Sequence, residues 1–102
     1  MTTDSISEVG IDEKRQLFAR PSTARFPYIY REALDIHWEP KRGYLYATVP
    51  RDWSYLECFQ HIIGAAAVQG YDLHLAPSTA WSNIPAELST EIQQWFYSRD
   101  AA

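Results

Sequence analysis

The sequence predicts an α+β domain: a two-layer sandwich with a small, mostly antiparallel sheet covered on one face by two helices. Three observations carry that expectation. Residues 34–49 alternate with period two on both sides of a turn. Residues 54–69 open with a capping signature, run apolar at helical spacing and stop at Gly70. Residues 85–98 begin on a proline and repeat the helical spacing.

The elements follow in chain order. Residues 1–9 (MTTDSISEV) are small and polar and read as a disordered tail ahead of a single domain at 10–102. Residues 10–25 are ambiguous between a short helix from Asp12 to Ala19, stopped by Pro21, and an arm that packs on a neighbour. Residues 26–31 (FPYIYR) read as an extra edge strand, with Pro27 tolerated only at an edge or strand start.

The hairpin is the clearest element. Leu34, Ile36 and Trp38 point one way, and Asp35, His37 and Glu39 the other. Beyond the turn, Leu45, Ala47 and Val49 alternate with Tyr44, Tyr46 and Thr48. A four-residue loop at Pro40-Lys41-Arg42-Gly43 sets Glu39 opposite Tyr44. The ladder then runs Trp38–Leu45, His37–Tyr46, Ile36–Ala47, Asp35–Thr48, Leu34–Val49. A one-residue slip would separate every apolar pair.

Helix 54–69 starts at Ser54-Tyr55-Leu56-Glu57, a capping box in which Ser54 and Glu57 satisfy each other's backbone N–H groups. Gly70 supplies the left-handed stop. At 100° per residue, Tyr55, Leu56, Phe59, Ile62, Ile63 and Ala66 share the face that covers the sheet. A third strand at 72–76 alternates Leu73 and Leu75 with Asp72 and His74, which makes hairpin, helix and strand a β-α-β crossover. Residues 77–83 read as a loop carrying Trp81. Pro85 fits the first turn of the last helix, whose buried stripe is Leu88, Ile92, Trp95 and Phe96.

Bulk properties narrow the function. The net charge is −4, with the nine Lys and Arg scattered along the sequence, so nucleic-acid binding, which rests on clustered positive charge, is not expected. An acidic, aromatic-rich chain suits a basic protein partner better. One cysteine excludes an internal disulfide, and MTTDSISEVG has no apolar leader core. No stretch approaches the roughly 20 apolar residues a bilayer needs. A cytoplasmic protein without membrane contact or cofactor is expected.

Three constellations are candidates for chemistry. Cys58 and His61 stand three apart on one helix, yet Cys58 falls on the apolar flank, where a thiol packs as a small hydrophobe. A structural metal would need Cys58 and His61 to converge with His37 and His74. The two strand histidines face away from the helix, so no metal site is expected. The polar-aromatic sheet face is the second constellation: Asp35, His37, Tyr44, Tyr46 and His74 are its candidate binding residues. They read as a solvated face, an association surface or, less readily, an acid–base site. Trp81 is the third, a loop aromatic that either anchors the last helix or binds. No phosphate-loop, G-x-S-x-G, H-E-x-x-H or EF-hand pattern is present.

The leading reading is a small, non-catalytic binding or interaction protein that forms a homo-oligomer, a dimer above all, through the outer sheet face or the 10–25 segment. A ligand-binding protein or enzyme using His37, Tyr46, Asp35 and His74 is the alternative. A third reading is an inhibitor or immunity-type accessory protein of a phage or mobile element that binds a basic partner.

Overall fold

The computed structural model of the chain describes residues 1–31, 35–48 and 52–99. Five strands form one mixed sheet: β1 (Thr2–Ile11), β2 (Leu17–Pro21), β3 (Ile36–Glu39), β4 (Tyr44–Ala47) and β5 (Tyr71–Ser82). Two helices, α1 (Tyr55–Val68) and α2 (Ala86–Ser98), pack on it. The strand order is β3-β4-β2-β1-β5, an open sheet. The fold is the α+β architecture expected from the sequence. Among the described residues, no helix is long and apolar enough to cross a membrane.

The hairpin register is the expected one: Ile36, His37, Trp38 and Glu39 pair with Ala47, Tyr46, Leu45 and Tyr44. The Thr48 amide donates to the Asp35 carbonyl at 3.2 Å, which continues the ladder. Leu34 and Val49, its outermost expected pair, lie outside the described residues. Gly43 closes the turn at φ +69°, a conformation that suits glycine. The capping box is present in both directions: Ser54 Oγ accepts from the Glu57 amide, and the Glu57 carboxylate accepts from the Ser54 amide. Gly70 follows α1 at φ +89°.

The N-terminal quarter differs from its expectation. Residues 1–9 do not fray: they supply most of β1, which lies between β2 and β5. The 10–25 segment is neither helix nor arm. Its first half turns the chain from β1 into β2, with the Asp12 carboxylate accepting from the amides of Lys14 and Gln16, both at 2.9 Å. This N-terminal hairpin inserts between β4 and β5. The crossover through α1 therefore spans two strands, and β5 pairs with β1 in parallel.

Residues 26–31 form no edge strand; Phe26 and Ile29 are buried, and Ile29–Arg31 is a short 3-10 turn. β5 does not end at residue 76 but runs on to Ser82, because β1 pairs with it from Thr2 to Gly10. Pro85 caps α2 from just outside the first turn, with ψ 146°, and contributes no side-chain bond.

The core lies between the sheet and the helices. Ile6, Val9, Leu17, Ala19, Leu45, Ala47 and Leu73 line the inner sheet face. Phe59, Ile62, Ile63 and Ala66 of α1 and Ile92 and Phe96 of α2 close over it. Burying each large side chain is worth about 1.5–3 kcal/mol.

One buried acid ties the start of β1 to the segment that follows β2. The Asp4 carboxylate, 9% exposed, accepts from the Thr23 and Ala24 amides at 3.0 and 2.8 Å and from the Thr23 hydroxyl at 3.1 Å. Burial opposes its ionisation, but these hydrogen bonds outweigh burial and hold its pKa below the ordinary carboxylate range. A lowered folded-state pKa means stability that is complete above the unfolded value near 4 and is lost as pH falls below it. Asp4→Ala should cost about 1–3 kcal/mol at neutral pH, since two amides lose their acceptor. Its stability should also fall less steeply than wild type between about pH 5 and 2. Urea melts across that range test this; parallel pH profiles for the two proteins would refute it.

Candidate functional site

The helices cover one face of the sheet, and the other carries the polar-aromatic residues. His37 and Tyr46 are cross-strand partners with ring centroids 5.3 Å apart. Tyr46 meets the edge of Tyr44 at 6.2 Å. Tyr44 in turn stacks on Phe18 of β2 at 4.3 Å and 19°. The face is thus an aromatic ladder over three strands, of which His37, Tyr44 and Tyr46 were expected and Phe18 was not.

Glycine makes room for the ladder. Gly10 is the cross-strand partner of Phe18. A Cβ there would sit 2.5 Å from the Phe18 ring and 2.9 Å from the Ser82 carbonyl oxygen. The ring therefore lies over the glycine, an arrangement that shields both from water. Phe18 and Tyr44 end up 6% and 3% exposed although no helix covers them.

Charged groups frame the rings. The Arg20 guanidinium stands 5.8 Å from the centroids of both Phe18 and Tyr44, pairs with Glu8 of β1, and donates from Nε to the Arg42 carbonyl at 3.1 Å. Glu8 also accepts from the Ser82 hydroxyl. Arg42 donates to the Tyr44 phenol oxygen at 3.1 Å and to the Glu13 carboxylate at 3.0 Å. The hydrogen bond from Arg42 holds Glu13 down to about 2, and the same contact raises Arg42. Burial pushes the Tyr44 phenol up, so it stays protonated and acts only as a hydrogen-bonding group.

The other expected residues lie elsewhere. His74 does not join His37 and Tyr46: β2 and β1 separate β5 from β4, roughly 14 Å at the usual strand spacing. His74 instead bonds Asp72 at 2.8 Å and meets Phe96 of α2 edge-on at 5.7 Å. Arg99 approaches Asp72 at 3.6 Å and lies over Phe96, so this group anchors the end of α2 to β5. Asp35 contributes its carbonyl to the ladder at Thr48. Trp81 is no loop residue; it lies in β5, pairs with Val9 of β1 and packs half-buried against the core. An acid–base group built from His37, Tyr46, Asp35 and His74 is therefore not assembled. Cys58 is fully buried, and burial raises its thiol pKa, with the Glu57 charge adding to the effect. His61 is exposed and stacks on Trp53 at 3.8 Å. Among the described residues, no group of three metal-binding side chains converges.

Sequence reasoning missed Glu8, Gly10, Phe18 and Arg20. The alternation Leu17, Ala19, Pro21 against Phe18 and Arg20 was available, but the apolar Phe18 on the outer side masked it.

A family model described as Integron Cassette Protein Hfx_Cass5 matches residues 4–81, from β1 almost to the end of β5. The chain is also similar to a solved structure described as "Structure from the mobile metagenome of North West Arm Sewage Outfall: Integron Cassette Protein Hfx_Cass5". The two are 38% identical over 92% of this chain and 95% of that one, with a TM-score of 0.48. No curated protein matches. The family model matches well over half of the chain, which therefore belongs to the Hfx_Cass5 family of integron cassette proteins.

Two outcomes test this description of the site. Gly10→Ala should lower stability by about 1–3 kcal/mol, because neither the stacked Phe18 ring nor the Ser82 carbonyl can yield freely. A thermal melt unchanged from wild type would show that the ring moves aside at no cost. Cys58 should react with a thiol reagent only as fast as the domain unfolds, since its sulfur is buried and protonated. Rapid labelling of the native protein would contradict the packing role.

Proposed function

We propose that this member of the Hfx_Cass5 family is a small, non-catalytic binding protein that pairs with a second copy of itself through the sheet face its helices leave open. The observation that supports this reading is the aromatic ladder on that face. Phe18 and Tyr44 are already packed within the protomer, while Tyr46 and His37 stay half-exposed beside them. Such a preformed ring cluster is a rigid anchor that needs little ordering on association. A two-fold pairing would set Tyr46 and His37 of each copy against the same patch of the other.

A binding role also fits the state of the reactive groups. Cys58 is buried and hard to ionise, His74 is committed to Asp72 and Phe96, and His61 lies flat on Trp53. None of these stands beside the ladder. A basic protein partner fits this face poorly, because Arg20 and Arg42 already crowd its rings. The reading includes a cytoplasmic location, which an unpaired thiol suits.

Light scattering tests the pairing. Wild type should run at twice 11.8 kDa, and Tyr46→Ser should run as a monomer with its thermal stability nearly unchanged. A monomeric wild type, or a Tyr46→Ser dimer, would overturn the reading.

A further inference from the structure

We propose that the cleft between residues 20–25 and the β3–β4 turn binds a small phosphorylated anion. The cleft arises where β2 parts from β4. Their ladder ends at Ala19 and Leu45, and Pro21, which has no N–H, cannot extend it. The space left is about 270 Å³, larger than one phosphate and open to solvent.

Its lining is unlike the rest of the molecule. The chain has a net charge of −4, yet four of its nine Lys and Arg surround this one cleft: Arg20, Arg25, Lys41 and Arg42. Among the described residues, no carboxylate lines it. Glu8 and Glu13, which partner Arg20 and Arg42, stand on the outer face of the sheet and at the β1–β2 turn. Among the described residues, the side chains of Arg25 and Lys41 form no ion pair, and both are exposed. Ser22 adds a hydroxyl group, and Trp38 supplies an aromatic wall. Arg25 and Lys41, the two of these cations without a carboxylate partner among the described residues, suit a group of more than one negative charge. The Arg25 fork matches the oxygens of a phosphoryl group, the Ser22 hydroxyl adds a hydrogen bond, and the indole offers a surface for an organic body attached to it.

Both walls are built before any ligand arrives. Asp4 pins the 22–24 loop through the Thr23 and Ala24 amides. The facing turn is held by the Gly43 amide on the Glu39 carbonyl at 2.7 Å and the Lys41 amide on the Glu39 carboxylate at 2.9 Å. The bond from Arg20 Nε to the Arg42 carbonyl ties one wall to the other. A preformed site loses little ordering entropy on binding.

Titration calorimetry of the full chain with inorganic phosphate and with adenosine monophosphate tests the proposal. At least one should bind saturably, and the double variant Arg25→Ala/Lys41→Ala should bind it at least about tenfold more weakly with an unchanged melting temperature. Equal affinity for the two probes would identify free phosphate chemistry as the target. Tighter binding of the nucleotide would identify a phosphorylated organic molecule seated on Trp38. Either result supports the cleft. Absence of saturable binding by both probes, or equal binding by the double variant, would overturn it. Tyr46→Ser should bind the same probe as wild type does, whichever way the pairing experiment falls, because Tyr46 lies outside this cleft.

Discussion

The fold depends on how β1 pairs on both sides at once. It runs antiparallel to β2 and parallel to β5, and both ladders shift register at the same point, between Ile6 and Glu8. Ser7 is the extra residue, and its hydroxyl donates to the Arg20 carbonyl at 3.0 Å. On the other side, the Thr79 hydroxyl accepts from the Ala76 amide at 2.9 Å and donates to the Ile6 carbonyl at 2.6 Å. Three backbone groups at the bulge, the Arg20 and Ile6 carbonyls and the Ala76 amide, thereby gain partners. The shift also changes which residues face inward. Ile6 points to the core before it, and Val9 after it, so both ends of a long strand contribute to one apolar layer.

The same bulge places the outer face. After it, Glu8 and Gly10 turn outward, opposite Arg20 and Phe18. Gly10 gives the Phe18 ring a floor, Tyr44 stacks on it, and Glu8 orients Arg20 above both. The surface that the helices leave open is thus a second, smaller cluster that the sheet packs against itself. Its charged frame extends to Arg42, which links the ladder to the β1–β2 turn through Glu13 and borders the basic cleft. One strand's register connects the core, the aromatic face and the cleft wall pinned by Asp4.

Legibility along the sequence followed the range of the interactions involved. The β3–β4 hairpin was readable down to its register because turn length and alternation both lie within a few residues. Helix α1 was readable because its capping box and its stop are local backbone chemistry. β1 was not, since its bulge breaks the period of two: Ile6 is followed by Val9 and Ile11, a phase slip that looks like a polar tail with scattered apolar residues. The second half of β5 was hidden because Pro77, Ser78 and Thr79 carry turn chemistry, and the four residues 76–79 stand opposite Ser7 alone.

By itself the sequence determined the fold class, the hairpin register, both helices with their buried stripes, and the burial of Cys58. These rest on local periodicity and caps, which need no knowledge of what lies across the sheet. Only the tertiary structure decided the strand order, the insertion of the N-terminal hairpin between β4 and β5, and so which outer-face residues meet. His37 and Tyr46 are neighbours in one hairpin and stay together, whereas His74 belongs to a strand brought in by a crossover and ends up with α2. A parallel partner such as β5 is joined through a helix, and the length of that connection leaves its position in the sheet to long-range packing.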